Sequence, residues 1–132
     1  MRGASPAVLA FAALTIGTPL AFASPALPTK ISDCAVTHIA TIGHRLEDGY
    51  THKPMTNSGS AISFTNGLYQ VSYDELPEIT RSRRGDPVLI CLVLVPKHCP
   101  TGDDRGKIYT TTNLRTIESW TLPDSEHSCG GA

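Results

Sequence analysis

Ile62-Ser63-Phe64-Thr65-Asn66-Gly67-Leu68-Tyr69-Gln70-Val71-Ser72 reads as a β-hairpin, and the architecture is built outward from it. Asn66-Gly67 lies between two alternating runs, a strong short-range hairpin signal because both residues tolerate positive φ. A two-residue turn there pairs Thr65 with Leu68, Phe64 with Tyr69 and Ile62 with Val71. That register puts Ile62, Phe64, Tyr69 and Val71 on one face. Ser63, Gln70 and Ser72 fall on the other. Turn chemistry and hydrophobic alternation agree, which is what pins a strand register.

The neighbouring segments are also strands. Pro87 to Val95 is the most apolar run. Val88, Ile90, Leu92 and Leu94 point one way and Leu89, Cys91, Val93 and Val95 the other, so a central strand covered on both faces is expected. Val36 to Ile42 is β-branched and ends at Gly43. Lys107 to Thr112 and Glu118 to Leu122 form a second hairpin around Asn113-Leu114-Arg115-Thr116. Ile117 stands where a left-handed glycine is usual, so this turn is strained or built differently. Gly43 to Ser60 is a long polar loop, mobile or functional. Asp74 to Asp86 is a polar connection, and no segment has helical periodicity. The fold class is therefore all-β: a small antiparallel sandwich or open barrel of about six strands, stapled by disulfides.

The N-terminus carries an address. Arg2, the apolar run from Ala7 to Ile16, the breakers Gly17 and Pro19, and Ala21-Phe22-Ala23 make residues 1–23 a cleavable secretory signal peptide. The run is shorter than the roughly 20 apolar residues a membrane span needs, so no stable membrane anchor is expected after cleavage. Residues 24–33 read as a loose leader and 34–132 as a single β domain. Cleavage after Ala23 leaves 109 of the 132 residues, with 10 basic against 12 acidic side chains. That balance disfavours a nucleic-acid partner. The expected location is the periplasm or the exterior.

In an oxidising compartment Cys34, Cys91, Cys99 and Cys129 read as two disulfides. If the strands at 87–95, 107–112 and 118–122 form a meander, the first and third run the same way. Cys99 and Cys129 then leave the same end of the sheet. The favoured pairing is Cys99–Cys129 with Cys34–Cys91; the runner-up is Cys91–Cys99 with Cys34–Cys129. Zinc held by these thiols with His98 and His127 matches no standard spacing. No metal site and no cofactor are expected.

Other clusters have plain structural readings. Asp124-Ser125-Glu126-His127 gathers an acid, a hydroxyl and an imidazole, but no Gly-x-Ser-x-Gly elbow accompanies it, and a polar turn suffices. Asp103-Asp104 pairs with Arg105 or Lys107 more readily than it starts a calcium shell. Gly85-Asp86-Pro87 reads as a turn into the central strand, which absorbs the Arg84-Gly85-Asp86 tripeptide. Arg81, Arg83 and Arg84 form a basic run opposite Asp74, Glu75 and Glu78, either an anion-binding patch or a balanced solvated loop. Trp120 reads as core.

Cys91, Cys99-Pro100, Gly102-Asp103-Asp104-Arg105-Gly106, Thr112 to Thr116, Ser119-Trp120, Leu122-Pro123-Asp124-Ser125, His127 and Cys129-Gly130-Gly131 together resemble a group of small secreted bacterial proteins of unknown function. The resemblance covers roughly residues 60 to 132 and implies export, a bacterial source and no mechanism. The periplasmic lysozyme inhibitors are also small disulfide-bonded β domains, a likeness of fold class alone. The leading expectation is a non-enzymatic binding or inhibitor-like module with no catalytic residues. Its partner would be a protein or small ligand, contacted through the loop of Lys97, His98, Asp103, Asp104 and Arg105. The alternatives are a small periplasmic hydrolase using His127 with Ser125, and a structural envelope protein.

Overall fold

The structure is a computed structural model that describes Gly3 and residues 25–131. The signal-peptide reading of Met1–Ala23 lies outside the described residues, apart from Gly3. Six strands, β1 (Cys34–His44), β2 (Ser60–Phe64), β3 (Tyr69–Val71), β4 (Pro87–Leu94), β5 (Ile108–Asn113) and β6 (Glu118–Pro123), form one antiparallel sheet. Its order is β3-β2-β1-β4-β5-β6, and it curls into a half-barrel. Two three-stranded meanders are thus joined by the β1–β4 pair.

Strand β1 makes the curl by changing neighbours. Its first half pairs Cys34↔Cys91 through His38↔Pro87 with β4. Its second half pairs Ile39↔Phe64 through His44↔Ser60 with β2, and the register shifts between Ile39 and Thr41. An extra residue on one strand bends it and increases its twist.

The core faces inward from β1, β2, β4, β5 and β6 and from the β2–β3 turn: Ile39, Ile62, Phe64, Leu68, Val88, Ile90, Leu92, Tyr109, Trp120 and Leu122 are buried there. Strand β4 is central, as expected, between β1 and β5. Its expected cover on both faces is not found. Val88, Ile90 and Leu92 are fully buried, whereas Val93 and Leu94 are each 43% exposed. A curled single sheet has one interior, so the alternate residues face out around the Cys34–Cys91 bridge. A register shift between Leu92 and Leu94 turns Leu94 out of the face it was expected to share.

The β2–β3 hairpin corrects the expected register. The pairs are Ser63↔Tyr69, Ile62↔Gln70 and Ala61↔Val71. The loop is Thr65-Asn66-Gly67, closed by the Phe64 amide on the Leu68 carbonyl (2.9 Å) and the Gly67 amide on the Phe64 carbonyl (3.0 Å). Gly67 takes φ +90° as the left-handed third residue of a turn with a bulge. The one-residue slip exposes Tyr69 and buries Gln70 completely.

Gln70 then becomes the seam between the two sheet edges. Its Nε2 donates to the carbonyls of Tyr109 (2.8 Å) and Leu122 (3.1 Å). Its Oε1 accepts from Thr111 Oγ1 (2.7 Å) and Trp120 Nε1 (2.9 Å). A buried amide with all its capacity used is stabilising and specific; half-used, it would be a liability.

Two further expectations change. The polar connection contains a one-turn helix, α1 (Pro77–Thr80), which puts Ile79 into the core. The loose leader is docked: Leu27 packs against the core, and the Ser32 amide bonds the Leu92 carbonyl at 2.9 Å. The β5–β6 turn lies where expected. Ile117 sits at φ +59° and 75% exposed, a strain of about 1–3 kcal/mol. It is tolerated because Asn113 Oδ1 accepts from the amides of Arg115 (2.8 Å) and Thr116 (3.3 Å), and the Asn113 carbonyl accepts from Ile117 N (2.8 Å).

Candidate functional site

Both disulfides follow the favoured pairing. Cys34–Cys91 joins directly paired residues of β1 and β4, and Cys99–Cys129 ties the loop after β4 to the tail after β6. No cysteine is left free. Such bridges are compatible with an oxidising compartment. Among the described residues no group of His, Cys, Asp and Glu is placed to hold a metal.

The loop of Lys97, His98, Asp103, Asp104 and Arg105 belongs to a knot. Asp103 accepts both arms of the Arg105 guanidinium (2.8 and 2.9 Å) and the Gly130 amide (3.0 Å). The Arg105 fork, with that amide, holds the Asp103 carboxyl far below the carboxylate range. Asp104 takes Lys107 Nζ at 2.8 Å. The Cys129 amide bonds the Arg105 carbonyl (2.9 Å), and the Gly106 amide bonds Asp124 (2.8 Å). The acidic pair is therefore engaged with its own chain. Lys97 and His98 remain exposed, His98 at φ +59°. The Ser125 hydroxyl donates to the backbone carbonyl of His127, not to its ring. That is the polar-turn arrangement.

The second basic cluster is built in only in part. Asp86 is buried, and its carboxylate takes the Arg115 fork (2.7 and 2.8 Å), Asn113 Nδ2 (2.9 Å) and the Arg83 amide (2.8 Å). Arg115 is the main cause of its strongly lowered pKa. The acid of the Arg84-Gly85-Asp86 tripeptide is thus closed to outside partners. Arg81 does not pair with Asp74, Glu75 or Glu78; it grips Glu118 on β6.

The long loop between β1 and β2 is an ordered arm. Its stem is closed by the bridge Glu47↔Pro54, with Asp48 N bonded to the Lys53 carbonyl and Met55 N to the Leu46 carbonyl, each at 2.9 Å. One carboxylate organises the tip. Asp48 Oδ1 accepts from Thr51 N (2.7 Å), Thr51 Oγ1 (2.8 Å) and Tyr50 N (3.1 Å). The Thr51 amide is the main cause of its lowered pKa. The base is held by Arg45, which donates to the Ser58 carbonyl at 2.7 Å, reaches Glu126 at 3.4 Å and stacks over Tyr73 at 4.3 Å. Gly59 completes the base at φ +107°, where an added Cβ would lie 2.0 Å from the Ser72 carbonyl oxygen.

At the tip Tyr50 is 93% exposed, with Met55 and Leu46 partly exposed on the stem. The sequence leaves this loop undivided between mobile and functional. The available signal was Asp48-Gly49-Tyr50-Thr51, an aspartate followed by residues that suit a carboxylate-closed turn. The chain matches no protein-family model, no curated protein and no solved structure.

Proposed function

We propose that this chain is an exported, non-enzymatic binding module of inhibitor-like type, working in the periplasm or outside the cell. The observation that carries the reading is Tyr50, almost wholly exposed on a tip whose backbone is already hydrogen-bonded. A fixed loop loses little conformational freedom on association. Tyrosine offers a large amphipathic surface with few rotors and is enriched where interfaces concentrate their binding energy. The partner is a protein with a recess for an aromatic ring. Lys97 and His98, exposed beside Cys99, form a second, smaller contact. Among the described residues Ser125 and His127 meet only through a main-chain carbonyl, which lends a hydrolase reading no support.

The test is photo-crosslinking in the producing cell, with a photoreactive aromatic residue at position 50, 97 or 112. Residue 112 lies on β5, outside both loops. Position 50 should give one discrete adduct that competes with untagged wild-type protein and not with Tyr50→Ala. Adducts of equal yield at all three positions, or none at 50, would remove the arm from the contact surface.

A further inference from the structure

The turn that follows α1 and the β5–β6 turn enclose an open cleft of about 670 Å³ lined by Arg81, Arg83, Arg115, Thr116, Glu118 and two further hydroxyl residues. No apolar side chain lines it. Its cations differ in what they have left to give. Arg115 is fixed through Nε and Nη2 by Asp86, leaving Nη1 unengaged. Arg81 uses the same two nitrogens on Glu118, leaving its Nη1. Arg83 contributes only its backbone to Asp86, its amide to the carboxylate and its carbonyl to the Asp86 amide, and its guanidinium meets no acceptor among the described residues. The Thr116 hydroxyl is buried near Glu118 without a hydrogen bond of good geometry.

We propose that this cleft binds a phosphate group, with Arg83 as its principal ligand and Arg81 and Arg115 completing the shell. The unspent donors are the whole Arg83 guanidinium and the Nη1 amino groups of Arg81 and Arg115, each with two N–H bonds. They come from the turn after α1 and from the β5–β6 turn. That set exceeds what the two oxygens of a carboxylate take up together and suits an oxyanion of three or four oxygens. The Asp86–Arg115–Asn113 network holds the cleft's floor in place before any ligand arrives. Glu118 is the restraint: its charge opposes the anion and occupies Arg81. The guest is the phosphate of a soluble ester or of a lipid headgroup.

The probes are inorganic phosphate and glycerol 3-phosphate, titrated calorimetrically at low ionic strength, and vesicles with and without phosphatidic acid. Wild type should bind at least one of these saturably. Arg83→Ala should weaken that binding about tenfold or more, the loss of one charge-assisted contact. Because the Arg83 side chain holds nothing in the fold, this variant should melt like wild type. Glu118→Gln should tighten binding several-fold. Preference for free ester or for vesicles separates the two sources, and either supports the site. Equal affinity in wild type, Arg83→Ala and Glu118→Gln, or weaker binding in Glu118→Gln, would overturn it. So would full competition by an equal concentration of acetate.

Discussion

Two loops leave the half-barrel, and they are held in different ways. The loop after β4 is bound into a knot by the Cys99–Cys129 bridge, the Asp103–Arg105 fork and the Asp103–Gly130 bond. Its acidic pair is spent on Arg105 and Lys107 of its own chain. The arm between β1 and β2 has no covalent tie. One carboxylate, Asp48, closes its tip, and Arg45 secures its base. It spends backbone polarity on order and leaves Tyr50 unspent. A cystine marks where a loop is stable, whereas unsatisfied surface marks where a loop has something to offer a partner.

Four perturbations separate the two loops, in decreasing order of effect. The seam under both is the first. Gln70→Leu leaves Trp120 Nε1 and the Tyr109 and Leu122 carbonyls without their partner, at a cost of about 4 kcal/mol, and both loops should lose amide protection together. Tyr69→Ala, one residue away and partly exposed, should cost under about 1 kcal/mol. Urea denaturation ranks the pair, and the reverse ranking would restore the two-residue turn register.

Replacing Cys99 and Cys129 together by Ser opens a loop with a sequence separation of 30. Chain entropy puts the loss at about 3.6 kcal/mol. Hydrogen exchange in that variant should rise around residues 97–106 and stay unchanged at Tyr50 and Thr51. Acid comes third. Both loop carboxyls are held below the ordinary value, Asp103 far below it. A depressed carboxyl lends order that is fully present above its unfolded pKa and is lost as pH falls through the folded one. NMR should therefore show the Thr51 amide shifting at a higher pH than the Gly130 amide, with both unchanged at neutral pH. The smallest effect on stability belongs to Tyr50→Ala, within about 0.5 kcal/mol of wild type because the ring is buried nowhere. A larger change would mean that the ring packs on the arm instead of standing clear of it.

The contrast also explains what was legible in the chain. Strand directions in the β4–β5–β6 meander were enough to select both disulfides, because a meander decides which ends of its strands share an edge. Ile117 was visible as a misfit since its strain is local. The hairpin register was not visible. Asn66-Gly67 suits a two-residue turn and also the last two positions of a three-residue turn. The choice between them depends on the site awaiting Gln70, built from Tyr109, Thr111, Trp120 and Leu122, some 40 to 50 residues away. Polar alternation placed Gln70 outside because alternation carries no information about distant acceptors. Leu27 was hidden for the same reason: a Pro- and Ala-rich leader says nothing about the groove that receives it. The arm was undivided because its order rests on one aspartate rather than on any periodic pattern.

The account's central claim is that the arm is preformed. Backbone ¹⁵N relaxation of the protein in solution measures it directly, at residues 48–53 against residues of β4. The account predicts order parameters near the rigid-backbone value of about 0.85 at Tyr50 and Thr51, alongside β4. Values below about 0.6 there, with β4 rigid, would contradict it.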